Sequence, residues 1–182
     1  AAVLGTGGRA VFRNIRAELM KEVLACFERM GAAVRSSGDS VEVWSLGRLK
    51  SPGIIVTQPY PGFPTDCQPQ LMTLCSTARG LTTIREEIFE SRFTHRRDLV
   101  RMGADIETCG KNAIIKGVES LNGADTKALD LRGGAALLIA GLMAEGHTTV
   151  RNAFHIQRGY EDPDRVIRAL GGIIETKREK ET

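Results

Sequence analysis

Short runs of β-branched and apolar residues recur along the chain, and each run begins soon after a glycine. The three runs are AVFRN from Ala10, TTIRE from Thr82 and TTVRN from Thr148, which follow Gly8, Gly80 and Gly146. Short segments of this composition are typical of β-strands. Their regular spacing predicts one structural unit that is used three times.

A second glycine follows each run at nearly the same distance, and the residues before it have the periodicity of a helix. Apolar side chains stand one and four positions before this glycine, which places them on one helix face. The sets are Phe27 and Met30 before Gly31, Leu99 and Met102 before Gly103, and Ile167 and Leu170 before Gly171. A glycine at this point predicts a left-handed residue that ends the helix.

The remaining segments complete the unit. Alternating residues around a Gly-containing turn follow Gly31 and Gly103, and this pattern predicts two hairpins. Further helices are predicted at 66–78 and 133–145, each just before the next repeat. Residues 1–7 look like the last turn of another such helix. The C-terminal stretch IIETKREKET predicts one hairpin strand followed by a charged tail.

We therefore predict a single α/β domain with threefold pseudo-symmetry. Its repeats lie at approximately 1–64, 65–129 and 130–176, and a charged tail follows at 177–182. A chain of 182 residues that is 42% hydrophobic can bury one well-packed core. The repeat is incomplete at both ends, so we expect the sequence to be a piece of a longer protein.

Composition excludes several classes of partner. The 25 Lys and Arg are spread among 22 Asp and Glu, which gives no basic stripe for nucleic acid. The longest apolar stretch, around 135–144, is too short to span a membrane, and we predict a cytoplasmic protein. The four cysteines form no C-x-x-C pair and the three histidines lack ligand spacing, so we predict reduced thiols, no metal and no cofactor.

The loops at equivalent points of the repeat carry the candidate binding residues. Arg92 and Arg158 stand at the same distance after their repeat glycines, where the first repeat has Met20. Asp66 and the run Asp130-Leu131-Arg132 stand at predicted helix N-termini, where free backbone N–H groups attract anions. Loops at one end of a repeated scaffold tend to meet. This combination predicts an anionic substrate, phosphate or carboxylate, and acid/base chemistry.

Each of these features also has an interpretation without a function. Asp66 and Asp130 could be ordinary N-caps. The two arginines could pair on the surface with Glu90 and Glu161, and the two glycines of RGGAA could serve only close helix packing. The grouping at equivalent points of the repeat favours the functional interpretation.

The segments around these residues resemble the UDP-N-acetylglucosamine 1-carboxyvinyltransferase family of enolpyruvyl transferases. FPTDCQPQ is similar to the family's Thr-Asp-Met-Gln-Ala-Gln segment. The match continues in order through IFESRFTH, RMGADI, LDLRGGAALLIAGLMAEG, HIQRGYE and ALGGII, and covers about Gly8 to Glu175. Phe-Glu-x-Arg-Phe and Arg-Gly-Tyr-Glu together separate this family from the 3-phosphoshikimate 1-carboxyvinyltransferases.

The resemblance implies a fold and an activity. Members of the family have two similar domains, each an inside-out α/β prism of three βαβαββ units whose sheets face outward around buried helices. This chain would be most of the domain formed by the C-terminal half, with the other domain as its partner. The implied reaction transfers enolpyruvate from phosphoenolpyruvate to the 3-hydroxyl of UDP-N-acetylglucosamine, the first committed step of peptidoglycan synthesis, without a cofactor.

The resemblance also implies roles for individual residues. Asp66 corresponds to the base that takes the proton from the 3-hydroxyl, which a serine cap could not do. Asp130 and Arg132 would line the reacting centre, and Arg158 would bind phosphoenolpyruvate. The remaining residues expected to contact substrate are Ile88 and Phe89 at the uridine end, Arg92 and Thr65.

Departures from the family pattern limit this expectation. Cys67 and Pro69 replace Met and Ala, and RGGAA replaces Arg-Ala-Ser-Ala-Ser, which removes hydroxyl groups. The family's reactive-cysteine loop and its further phosphoenolpyruvate-binding lysine and arginines have no counterpart in these residues. We therefore expect this chain alone to be inactive. A non-catalytic UDP-sugar-binding or scaffold domain and a 3-phosphoshikimate transferase remain as alternatives.

Overall fold

The structure is a computed structural model that describes residues 1–177. The last five residues of the predicted charged tail, 178–182, lie outside the described part. The strands are β1 (Arg9–Phe12), β2 (Ala33–Ser37), β3 (Ser40–Trp44), β4 (Ile54–Val56), β5 (Leu81–Arg85), β6 (Asp105–Cys109), β7 (Asn112–Lys116), β8 (Asp125–Lys127) and β9 (Thr149–Arg151). The helices are α1 (Ala2–Gly5), α2 (Lys21–Arg29), α3 (Gln68–Thr77), α4 (Arg96–Arg101), α5 (Leu131–Met143), α6 (Phe154–Gln157) and α7 (Pro163–Ala169), with 3₁₀ turns at Ala17–Met20 and Thr65–Cys67.

The predicted succession of strand, helix and hairpin is formed twice. In the first repeat β3 pairs antiparallel with both β1 and β2, and in the second β7 pairs antiparallel with both β5 and β6. The intervening helices α2 and α4 are followed by Gly31 and Gly103, whose φ angles of 89° and 96° are left-handed. Glycine adopts this conformation without the strain that a Cβ would add. The hairpins and the helix ends predicted from the sequence are therefore confirmed.

Parallel strand pairs connect one repeat to the next. β4, at the end of the first repeat, pairs parallel with β5, and β8 pairs parallel with β9. Parallel neighbours require a crossover connection, and α3 and α5 supply it. The strands therefore form three sheets, with the orders β1-β3-β2, β4-β5-β7-β6 and β8-β9.

The crossover helices form the centre of the domain. Eight of the ten residues of α3 are buried, so this helix contacts protein on nearly every side. Ala136 and Ala140 of α5 are fully buried, and the hydroxyl of Thr73 in α3 donates to the carbonyl oxygen of Ala136 at 3.3 Å. Small residues at this contact allow the two helices to approach closely.

The sheets cover this helical centre from outside. In β3 the buried residues Val41 and Val43 alternate with less buried neighbours, and β7 alternates in the same way around Ala113 and Ile115. Residues of one strand alternate between its two faces, so each sheet has one face on the core and one toward solvent. This arrangement confirms the predicted α/β architecture with helices inside and sheets outside.

Two expectations at element ends are corrected. The strand predicted within IIETKREKET is absent from the described residues 172–177, and Ile173 is 97% exposed. A strand needs a hydrogen-bonded neighbour, and within 1–177 none lies beside this segment. The helix α3 begins at Gln68, not at Asp66, with Pro69 in its first turn, where proline is tolerated.

Candidate active site

The Asp66 carboxylate lies between two arginines that come from different repeats. Asp66 belongs to the 3₁₀ turn Thr65–Cys67 that precedes α3. Its Oδ2 accepts from Nη2 of Arg132 at 2.8 Å, and its Oδ1 is in contact with Nε of the same side chain. Nη2 of Arg92 donates to Oδ1 at 3.2 Å. The interpretation of Asp66 as an N-cap is therefore wrong, because its oxygens face guanidinium groups and cap no helix.

Arg92 is held at three points, which fixes the plane of its guanidinium group. Besides its bond to Asp66, its Nε donates to Oγ1 of Thr65 at 3.3 Å. Its Cζ lies 4.2 Å from the ring centroid of Phe89, a cation–π contact. Only 17% of the Arg92 side chain is exposed. The alternative pairing of Arg92 with Glu90 is not what the structure shows.

Asp130 caps α5, as its position predicted. Its Oδ1 accepts from the backbone N–H groups of Arg132 at 2.9 Å and Gly133 at 2.8 Å, and its Oδ2 accepts from the hydroxyl of Thr94 at 2.9 Å. Partial burial opposes ionisation of this carboxyl. The hydrogen bonds from Gly133, Thr94 and Arg132 nevertheless hold the pKa of Asp130 below its ordinary value. The same cap fixes the first turn of α5, from which Arg132 extends toward Asp66.

The two carboxylates, Asp66 and Asp130, differ in their partners and in their exposure. Asp130 is bound mainly to backbone and is half-buried, whereas the side chain of Asp66 is 55% exposed. Arg132 connects them, because its backbone binds one carboxylate and its guanidinium group binds the other. The hydrogen bond to Asp66 raises the pKa of Arg132. This side chain is therefore cationic at pH 7.

The chain next to Arg158 packs beside the first turns of α3 and α5. Arg158 directly follows α6, and an added Cβ on the next residue, Gly159, would stand 2.6 Å from a methyl carbon of Leu131 at the start of α5. The hydroxyl of Tyr160 lies 3.4 Å from Nε2 of Gln70, in the first turn of α3. Across residues 1–177, the exposed guanidinium group of Arg158 makes no ion pair or hydrogen bond, so it is open to an anionic ligand.

Ile88 and Phe89 form the outer part of the loop after β5. Their side chains are 36% and 49% exposed, and their backbone N–H groups donate to Oε1 of Glu86 at 3.0 and 3.2 Å. Of the two, Phe89 contacts Arg92. Hydrogen bonds join Thr65 to Arg92, Arg92 to Asp66 and Asp66 to Arg132, and together with Phe89 these residues form one rim. Ile88, Asp130 and the chain next to Arg158 lie on segments beside this rim.

Two buried polar residues next to this rim were missed by the sequence analysis. Glu86 is 1% exposed and accepts hydrogen bonds from four donors. Its repeat equivalents, Asn14 and Asn152, have the left-handed φ angles of 58° and 59° that asparagine tolerates. The sequence did contain a signal for Glu86, because the other two repeats carry asparagine at this position.

His95 is the second buried residue. It is 3% exposed, and neither ring nitrogen has a hydrogen-bond partner within the described chain. Burial lowers the pKa of His95 to about 4, although the Asp130 charge opposes this shift. The ring is therefore neutral at pH 7. The motif IFESRFTH contained this histidine, but nothing in its spacing indicated burial.

Within residues 1–177, the structure shows neither a metal site nor a reactive thiol beside these residues. Within residues 1–177, no group of three His, Cys, Asp or Glu side chains is placed to hold a metal ion. The cysteines are free thiols in this part of the chain, and burial together with the Asp66 charge raises the pKa of the Cys67 thiol. A reactive thiolate next to Asp66 is thus disfavoured. In the same range, no helix has the length and apolar character needed to cross a membrane.

The fold and this rim define the class of protein. The enolpyruvyl transferase NikO from Streptomyces tendae superimposes with a TM-score of 0.83 and 28% identity, over 94% of this chain and 42% of that chain. The sequence model of the EPSP synthase family, described as 3-phosphoshikimate 1-carboxyvinyltransferase, matches residues 1–166. The chain belongs to this family.

Curated relatives narrow the similarity further. The UDP-N-acetylglucosamine 1-carboxyvinyltransferase of Psychrobacter sp. is 46% identical over 96% of this chain, and that of Koribacter versatilis is 46% identical over 93%. The matches cover 40% and 39% of those proteins. The chain therefore spans about 40% of the length of the curated relatives it matches, and it is similar to one part of them.

Proposed function

We propose that the complete gene product carrying this chain transfers enolpyruvate from phosphoenolpyruvate to the 3-hydroxyl of UDP-N-acetylglucosamine. The observation that carries this proposal is the Asp66 carboxylate held between Arg92 and Arg132. Arg158 follows α6, and the chain next to it packs beside the starts of α3 and α5. The names of the similar relatives support the choice of substrates. The division into repeats at about 1–64, 65–129 and 130–176 remains part of the same proposal.

Asp66 acts in this proposal as the proton acceptor. When the sugar oxygen attacks phosphoenolpyruvate, its O–H bond breaks and the proton passes to a carboxylate oxygen. Oδ1 of Asp66 receives N–H groups from both arginines, whereas Oδ2 receives one, from Arg132 at 2.8 Å. Each carboxylate oxygen has two lone pairs, so Oδ2 can also accept from the sugar hydroxyl without loss of an arginine contact.

The arginines bind the anionic parts of the substrates. Phosphoenolpyruvate carries a phosphate and a carboxylate, and guanidinium groups bind both in a fixed planar geometry. Arg158 is an exposed cation that has no ion pair or hydrogen bond within residues 1–177, and the raised pKa of Arg132 keeps its guanidinium group cationic. When the sugar oxygen adds to C2 of phosphoenolpyruvate, the C=C bond opens and C3 takes up a proton. Phosphate then leaves as C3 loses a proton and the C=C bond forms again, and these cations stabilise the charge that develops on the departing phosphate.

The outer loop and the rest of the gene product complete the site in this proposal. Ile88 and Phe89 present exposed apolar side chains and a fixed backbone to the uridine end of the nucleotide sugar. The Asp66 rim is open to solvent, and we expect the second domain of the gene product to cover it. This chain alone is therefore expected to be inactive. A cytoplasmic location for the reaction is part of the same proposal.

Two alternatives rest on specific observations. The family description names 3-phosphoshikimate as acceptor, although two relatives at 46% identity are named for UDP-N-acetylglucosamine. A non-catalytic UDP-sugar-binding or scaffold domain would fit an Asp66 whose oxygens are already bound by arginines.

Phosphate release by the complete gene product discriminates among the three functions. The protein is incubated with phosphoenolpyruvate and either UDP-N-acetylglucosamine or 3-phosphoshikimate, and inorganic phosphate is measured over time. We expect release with the nucleotide sugar only. Release with 3-phosphoshikimate alone would establish the first alternative. Binding of the nucleotide sugar without release would establish the second.

A further inference from the structure

Glu86 is a buried carboxylate that no proposed step uses. It follows β5 directly and is 1% exposed. Its Oε1 accepts from the hydroxyl of Thr57 at 2.8 Å and from the backbone N–H groups of Ile88 and Phe89. Its Oε2 accepts from the hydroxyl of Thr65 at 2.9 Å. A buried charge is costly unless it is hydrogen-bonded, and these four donors meet that requirement.

The donors come from three separate segments of the chain. Thr57 directly follows β4, Thr65 begins the 3₁₀ turn before α3, and Ile88 and Phe89 belong to the loop after β5. Glu86 therefore ties together the two segments that carry Asp66 and Arg92. Neither of these site residues touches Glu86 itself, so any influence passes through its partners.

The bond to Glu86 determines how Thr65 meets Arg92. A threonine hydroxyl has one hydrogen and accepts at its oxygen. The structure directs that hydrogen to Glu86, which leaves the oxygen to accept from Nε of Arg92 at 3.3 Å. The Phe89 ring packs on the other side of Arg92, and its backbone is also fixed by Glu86. Two of the three contacts of Arg92 thus depend on this carboxylate.

We propose that Glu86 is a positioning residue, which holds Thr65 and the Phe89 loop so that Arg92 is aimed at Asp66. Its effect on catalysis rests on the proposed transfer of enolpyruvate, whereas its effect on Arg92 does not. Displacement of a catalytic group by about 1 Å can reduce the rate a hundredfold, so small shifts of Arg92 matter.

Glu86→Gln is the informative substitution, because the new amide keeps the shape and loses the charge. Its oxygen serves the three donors at the Oε1 position, and its NH₂ group then faces the Thr65 hydroxyl. A donor there forces the hydroxyl hydrogen to turn away. Glu87→Gln is the matched control: the neighbouring carboxylate pairs with Arg85 and Lys111 and lies outside the proposed site.

The first test measures phosphate release by the complete gene product. We expect Glu86→Gln to lower kcat about tenfold with KM for the nucleotide sugar changed less than threefold, and Glu87→Gln to match the unaltered protein. Thr65→Val should lower kcat about tenfold as well. The kcat of the double variant should be at most about threefold lower than that of either single variant, because both substitutions disrupt the same hydrogen bond between Glu86 and Thr65. Multiplied losses of about a hundredfold, or a Glu86→Gln variant with unaltered kcat, would overturn the proposal.

The second test does not need catalysis and separates the two proposals. In this chain, the Nε–H resonance of Arg92 in NMR spectra should exchange slowly with water in the unaltered and Glu87→Gln forms, and should be lost in Glu86→Gln. The hydroxyl proton of Thr65 should also be observable in the unaltered chain, because its bond to a buried carboxylate slows exchange. An unchanged Arg92 signal in Glu86→Gln, or no Thr65 hydroxyl signal, would contradict the role of Glu86. An inactive gene product with the expected signals would contradict only the transferase activity.

Discussion

Replacing Asp130 with alanine removes the N-cap of the central helix α5. The substitution leaves the backbone N–H groups of Arg132 and Gly133 without the acceptor that now lies at 2.9 and 2.8 Å. Loss of an N-cap costs about 1–2 kcal/mol of folding free energy. The lost bond from the exposed Thr94 hydroxyl adds little, because water replaces it. We therefore expect Asp130→Ala to be about 1–2 kcal/mol less stable than the unaltered chain.

The matched variants separate the cap from the charge. Asparagine caps helices about as well as aspartate, so Asp130→Asn should cost at most about 0.5 kcal/mol. Asp162→Ala removes the cap of α7, a helix without buried residues, and should cost less than Asp130→Ala. Guanidinium chloride unfolding followed by circular dichroism measures all three. A cost below about 0.3 kcal/mol for Asp130→Ala, or equal costs for the alanine and asparagine variants, would refute this reasoning.

The pH dependence provides an independent check of the same cap. The pKa of Asp130 is lowered in the folded chain, so the unfolded chain binds its proton first as the pH falls. The stability that ionised Asp130 contributes is present above its ordinary pKa of 3.8 and is lost as the pH falls through the lower folded value. The difference between Asp130→Ala and the unaltered chain should therefore shrink below about pH 4.

Three further predictions concern other parts of the chain. His95→Phe should make the fold less sensitive to acid. With a folded pKa of about 4, His95 lowers the free energy of unfolding of the unaltered chain by about 2 kcal/mol when the pH falls from 7 to 5. Denaturant unfolding at both pH values should show this loss in the unaltered chain and not in His95→Phe. Gly117→Ala would place a Cβ 1.5 Å from the carbonyl oxygen of Ala78, so we expect its free energy of unfolding to fall by about 3 kcal/mol. Gly110→Ala, where the space is open, should lose about 1 kcal/mol, and thermal or denaturant unfolding measures both. Titration calorimetry of this chain alone with UDP-N-acetylglucosamine should show weak binding or none, and micromolar affinity would contradict an open, incomplete site.

The repeated pattern of the sequence predicted the strands, helices and hairpins, whereas the resemblance implied the arrangement of sheets outside and helices inside. Strands after Gly8, Gly80 and Gly146 and helices before Gly31 and Gly103 are all formed, because local composition and glycine conformation determine them. An N-cap was the interpretation of Asp130 without a function, and the structure shows this cap, which depends only on residues two and three positions away. The role of Asp130 at the reacting centre stays a prediction. Features that depend only on residues near in the chain can be predicted from a single sequence.

Long-range contacts were not visible in the same way. Asp66 stands where a cap is expected, but α3 begins two residues later, and the carboxylate turns to Arg92 and Arg132 instead. The repeat predicted that these residues meet, but it did not specify which side chains pair. Glu86 was overlooked for a similar reason, because its partners Thr57 and Thr65 lie in other segments.

Asp66→Asn in the complete gene product tests the central claim most directly. Phosphate release from phosphoenolpyruvate and UDP-N-acetylglucosamine is compared with that of the unaltered protein and of Asp162→Asn, an exposed carboxylate at the start of α7. A positioned proton acceptor contributes about a hundredfold or more, so we predict at least that loss of kcat for Asp66→Asn and none for the control. Full activity of Asp66→Asn would show that this carboxylate takes no part in the reaction.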